Sequence, residues 1–176
     1  MHLFILSFIC VLLLYMAWQD FADRAIDWFL YPLVVTLIII NGVVINGLTW
    51  EHVFINLALI GVQLLMLALY VKITKGINLM KGERFLGWGD ILFFLVLTVA
   101  LSPINFFAFY LLSLLATLLF FAVGQLWSKR GTTVPLAGCQ AILLLALLLI
   151  DHEHNGSNLY NDTKLINFIN HAALNS

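Results

Sequence analysis

The chain has 176 residues, 63% of them hydrophobic and 10% charged, with a formal net charge of -1 at pH 7. A soluble domain carries about a quarter charged residues, so this composition, with a mean hydropathy of +1.05, excludes an ordinary water-soluble globule. The near-neutral total says little about partners; where the charges sit says more.

A chain this apolar needs lipid to bury its outer faces. We read an all-α, polytopic integral membrane bundle over residues 1–150 and a polar extracytoplasmic tail over 151–176. Six apolar segments are expected to be transmembrane helices: residues 2–19, 28–48, 52–73, 90–101, 105–127 and 134–150. A helix needs about 20 residues to cross the hydrocarbon, and all but the fourth come close to that.

The first segment lacks a basic leader, and no small-residue cleavage site precedes Trp18-Gln19-Asp20. It therefore reads as a retained helix and not as a signal peptide. Asp20 closes it and opens a loop that also holds Asp23, Arg24 and Asp27. One reading of this loop is a polar turn. Asp20 stands apart because it directly continues the helix. If the helix persists, Asp20 and Arg24 lie four apart and share a face; Asp27 is the alternative partner.

The second and third segments are joined by a loop without Lys or Arg. The next loop, residues 75–89, holds Gly76, Gly82, Gly87 and Gly89 and ends in Gly87-Trp88-Gly89-Asp90. Glycine allows close backbone approach, so a substrate or another helix can come near Asp90. Asp is also a good helix cap, and the two roles are compatible. The fourth segment is short and is cut off by Pro103, so it is expected to be shielded by its neighbours. The Phe-rich fifth segment reads as lipid-facing and packing surface. Gln63 and Gln140 are the few strongly polar residues inside segments.

In the tail, Asp151-His152-Glu153-His154 reads as a solvated cluster, and no metal is expected. Leu165, Ile166, Phe168 and Ile169 suggest a short interfacial helix. Cys10 and Cys139 read as buried thiols without zinc-site spacing. Trp18, Trp28, Trp50, Trp88 and Trp127 all fall at segment ends, where amphipathic rings favour the headgroup level. Arg24, Lys72, Lys75, Lys81, Arg84, Lys129 and Arg130 fall on one side, which the positive-inside rule makes cytoplasmic. Both termini are then outside, and Asp20 and Asp90 share the cytoplasmic edge.

Carboxylates at the mouths of membrane helices are costly and are candidate functional groups. Two close carboxylates do not both ionise easily and share a proton. The ionised one takes a proton from water, the protonated one hydrogen-bonds the scissile carbonyl, and an amide is hydrolysed without a covalent intermediate.

These residues resemble the type IV prepilin peptidase family, the GxGD aspartic proteases of bacteria and archaea. Asp20, Arg24 and Ile26 are similar to its first motif, with Asp27-Trp28 where a Pro and an Asn or Asp fall. Gly87-Trp88-Gly89-Asp90 resembles the second motif, although no Lys follows it. Val134-Pro135-Leu136-Ala137-Gly138 resembles the segment that opens the last helix. The likeness covers about residues 15–150 and matches a minimal six-helix form lacking the cytoplasmic Cys-motif domain. It implies Asp20 and Asp90 as catalytic residues, with Arg24, Asp27, Gly87, Gly89 and Pro135 supporting them or binding substrate. It implies a prepilin-like membrane-anchored substrate with a short basic leader, cut at the cytoplasmic face of a bacterial inner membrane. Asp23 and Asp27 are placed to attract that leader. No cofactor, no methylation and no nucleic-acid partner are expected. The presenilin-type GxGD enzymes are a more distant likeness, since here the order is Pro135-Leu136-Ala137.

Two other classes are compatible with the residues. One is a non-catalytic assembly or scaffold protein of a secretion or pilus system, with the aspartates as caps. The other is a proton-coupled carrier, which the scarcity of charge inside the segments disfavours.

Overall fold

The computed structural model describes residues 2–45, 47–75, 87–127, 135–153, 159–163 and 166. Those residues are all-helical: α1 His2–Asp23, α2 Leu30–Val44, α3 Trp50–Lys75, α4 Trp88–Ala100, α5 Pro103–Trp127 and α6 Leu136–Glu153. Each expected apolar segment forms one helix.

The boundaries follow local chemistry. α1 runs without Gly or Pro and stops at Arg24, whose φ of 55° is left-handed; the Arg24 amide still donates to the Asp20 carbonyl at 3.1 Å. α2 tolerates Pro32 in its first turn, where a missing N–H breaks no helical bond. Pro103 is the first residue of α5, the position where its fixed φ is preorganised, so the fifth helix starts two residues before the expected Asn105.

Four helices are long and apolar enough to cross a membrane: α1, α3, α5 and α6. α2 and α4 are shorter. At 1.5 Å per residue α4 rises only about 20 Å against a hydrocarbon thickness of about 30 Å. It can be short because it is covered. It packs against α2, α3, α5 and α6, and Phe93, Val96 and Leu97 are fully buried. The outer faces are the reverse: Phe4, Phe54, Met66 and Leu118 are all largely exposed, as apolar side chains facing lipid are.

α1 and α6 pack antiparallel along their lengths. At one end the His2 and His152 rings lie 5.6 Å apart, and at the other Asp20 meets Gly138. Buried polar side chains tie the remaining helices. Asn56 of α3 donates to the carbonyls of Thr98 and Leu101 at 3.1 and 2.7 Å. Gln63 donates to Tyr110 at 2.8 Å and Gln140 to Ser113 at 3.1 Å. Such bonds contribute roughly 0.6 kcal/mol each on average in membranes. Gln63 and Gln140 are thus helix-to-helix ties.

Part of the polar tail returns to the bundle. Leu159 and Tyr160 are buried, the Leu159 carbonyl accepts from the Ser102 amide at 2.8 Å, and the Tyr160 ring seats against Gly42 and Gly47. Asp162 accepts from the Ser102 hydroxyl at 2.5 Å and from the Ile104 amide at 3.1 Å, capping α5 from far along the chain. The expected interfacial helix falls, apart from Ile166, outside the described residues, as do Lys81, Arg84, Lys129 and Arg130.

Candidate active site

Asp20 lies in the last turn of α1 and is 8% exposed. Its Oδ2 accepts a hydrogen bond of 2.6 Å from the Gly138 amide. Asp90 lies in the first turn of α4. Its Oδ2 accepts from the Gly87 amide at 3.2 Å and its Oδ1 from the Ala137 amide at 3.1 Å. Asp90 is therefore a cap of its own helix and a bridge to α6 at once.

Ala137 and Gly138 are successive residues in the first turn of α6. Their N–H groups have no partner inside the helix, and the N-terminal end of a helix favours negative charge. The two carboxylates, 70 positions apart in the sequence, thus take adjacent donors of one helix end. Two bonds of this length on neighbouring amides hold the bonded oxygens within about 10 Å of each other. The carboxylates also act on each other electrostatically.

A family model described as the type IV leader peptidase family matches residues 7–123. The chain belongs to the type IV leader peptidase family. No curated protein and no solved structure matches it. Membership makes the chain a protease of the leader-peptidase type, and its long apolar helices make it a membrane protein. The match includes Asp20 and Asp90 but ends before α6, which supplies both amides.

The other residues expected at the site of this leader peptidase divide clearly. Gly87 gives its amide to Asp90. Gly89 makes room for α2: a Cβ there would stand 2.9 Å from the Tyr31 hydroxyl. Pro135 is buried immediately before α6, and its carbonyl accepts from the Cys139 amide at 3.1 Å, so it opens the helix that carries the two donors.

Arg24 and Asp27 are placed differently from the expectation. The helix does not persist through Arg24, which is exposed and left-handed, so it makes no helical face with Asp20. Its backbone amide still bonds the Asp20 carbonyl, and its guanidinium acts on the Asp20 carboxylate through space. Asp27 pairs with Gln19 instead: Gln19 Nε2 donates to Asp27 Oδ2 at 2.7 Å, and the Asp27 amide donates to Gln19 Oε1 at 3.2 Å. This reciprocal pair fixes the loop after α1.

Gly138 and Tyr31 were not among the expected site residues. A Cβ on Gly138 would meet Asp20 Oδ2 at 2.9 Å and the Ala17 carbonyl at 3.3 Å, so α1 and α6 approach this closely only because position 138 is glycine. The signal in the sequence is the segment Pro135–Gly138 itself, where a helix opens on a small residue able to approach α1 closely. Tyr31 is an aromatic at a helix mouth, a position that aromatic belts fill anyway.

A cleft of about 430 Å³ opens between α3 and the α4–α5–α6 side, lined by Gln63, Met66, Tyr70, Phe94, Tyr110 and Leu136. Phe94 is one helical turn beyond Asp90, and Leu136 directly precedes Ala137. The cleft is apolar at its walls and reaches the helix end that holds both acids.

Proposed function

We propose that this protein is an aspartic endopeptidase that removes short basic leaders from prepilin-like, membrane-anchored precursors, with Asp20 and Asp90 as the acid/base pair. The observation that carries the reading is the convergence of both carboxylates on the adjacent amides of Ala137 and Gly138. Family membership supports the reaction class.

In this reading six helices lie in a bacterial inner membrane with both termini outside, and the site lies at the cytoplasmic rim. The substrate helix stays in the bilayer and reaches the site from the side, along the apolar cleft. Its leader remains in water, near exposed Asp23 and Asp27. The ionised carboxylate takes a proton from water as the water oxygen adds to the scissile carbonyl carbon. The protonated carboxyl gives its proton to the carbonyl oxygen. In the collapse one hydroxyl of the tetrahedral intermediate returns its proton to the pair as C=O re-forms, the C–N bond breaks, and the departing nitrogen takes a proton from the pair, which is left with one proton as at the start. The helix end of α6 holds both acids in position without itself reacting.

The scaffold reading also has an observation in its favour, since Asp90 caps α4 and Asp20 anchors α6. Purified protein incubated in liposomes with prepilin-like precursors from the same genome separates the two. The peptidase releases a leader of defined mass, and Asp90→Asn releases none while remaining folded. A scaffold releases nothing in either form.

A further inference from the structure

We propose that the Tyr31 hydroxyl is a third chemical group of this site, a hydrogen-bond donor to the carbonyl oxygen of the amide being cleaved. The proposal rests on the peptidase reading above. Tyr31 is in the first turn of α2 and is 3% exposed. Its hydroxyl is buried and has no hydrogen-bond partner among the described residues. It sits at the start of α4, where it is the atom that a Cβ on Gly89 would meet, at 2.9 Å. Both Asp20 and Asp90 act on it electrostatically.

A buried tyrosine hydroxyl ordinarily finds a partner. Here two carboxylates act on it, and the bonds they make go to the amides of Gly87, Ala137 and Gly138, not to the phenol. The phenol O–H is therefore left as a free donor beside an acid/base pair. An incoming amide brings the missing acceptor, its carbonyl oxygen. As water adds to the carbon, the C=O electron pair moves onto that oxygen, and a donor already in place gains strength as the charge develops. The phenol O–H bond does not break. The water proton goes to the ionised carboxylate, and the carbonyl oxygen receives its proton from the other acid.

The test uses the full chain in detergent with a precursor that the wild type cleaves. Tyr31→Phe should lower kcat by roughly 10²-fold or more and leave KM within about twofold. Its thermal midpoint should hold or rise, because the lost hydroxyl made no bond in the resting protein. A kcat near the wild-type value overturns the proposal. So does a fall in thermal midpoint with kcat and KM worsening together, the mark of a packing role.

A second variant checks the geometry. Gly89→Ala should slow cleavage in the wild type by displacing the hydroxyl and should add no further loss in the Tyr31→Phe background; equal losses in both backgrounds overturn the proposal. A wild type that cuts no precursor, or an Asp90→Asn variant that cuts as well as the wild type, removes the peptidase reading and this proposal with it. A wild type that cuts, an Asp90→Asn variant that does not, and a Tyr31→Phe variant at full rate overturn the Tyr31 assignment alone.

Discussion

Gly138 gives its amide to Asp20 Oδ2 at 2.6 Å, and a side chain on Gly138 would stand 2.9 Å from that same oxygen. The donor and the clearance come from one residue, and a further obstacle, the Ala17 carbonyl, is backbone that cannot rotate away. Gly138→Ala should therefore push α1 off α6. The expected cost is about 1–3 kcal/mol of stability and roughly 10²-fold in cleavage rate, since small displacements of reacting groups are expensive. Gly61→Ala in α3 is the control: nothing lies within 4 Å of the added Cβ, so activity should hold and the helix should gain about 0.5–1 kcal/mol. Thermal unfolding in detergent and leader release measure both.

Asp162 ties the tail to the other end of α4. It accepts from the Ser102 hydroxyl and the Ile104 amide, the donors a helix cap would satisfy. Asp162→Ala should lower stability by about 1 kcal/mol, the usual cost of a lost cap. Cleavage by the folded fraction should be unchanged, because the Asp20–Asp90 end lies a helix length away. A specific loss of kcat at full stability would contradict this.

Tyr160 makes the same tail sensitive to alkali. Burial pushes its phenol up to about 12, with the Asn41 side-chain bond working against the shift and Asp151 adding to it. The unfolded chain ionises near pH 10, so the folded state holds its proton more tightly. That stabilisation is complete below about pH 10 and is lost as pH rises from there towards 12. Thermal midpoints between pH 9 and 11.5 should fall for the wild type, and less steeply for Tyr160→Phe. Parallel slopes would show that Tyr160 does not govern the loss.

The helices and the two acids were legible from the sequence, and the reasons are physical. Lipid demands long apolar runs, so the runs mark the helices, and a carboxylate at the mouth of such a run is conspicuous by its cost. Trp18, Trp28, Trp50 and Trp88 are exposed at helix ends, as amphipathic rings should be. Arg24 was legible in part: its charge acts on Asp20, but four-residue spacing promises a shared helical face only if the helix continues, and the backbone turns left-handed there. Gly138 and Tyr31 carry no charge and fit ordinary packing or boundary roles, so their importance lies in distances alone. The tail appeared solvated because it is polar, yet its Asp162 carboxylate finds donors at Ser102 and Ile104 that no local pattern links to it.

In the proposed reaction Asp20 and Asp90 act as one unit on one water. The most direct measurement is leader release by Asp20→Asn, Asp90→Asn and the double variant, with thermal midpoints in parallel. Each Asn keeps one oxygen for the α6 amide, and Asp90→Asn gives up only the Gly87 cap bond, so all three should stay folded with a small loss in the Asp90 variants. Each single change should remove nearly all activity, by about 10³-fold or more, and the double should lose no more than either single, as groups working together do. Activity that survives either change, or losses that multiply in the double variant, would contradict the account.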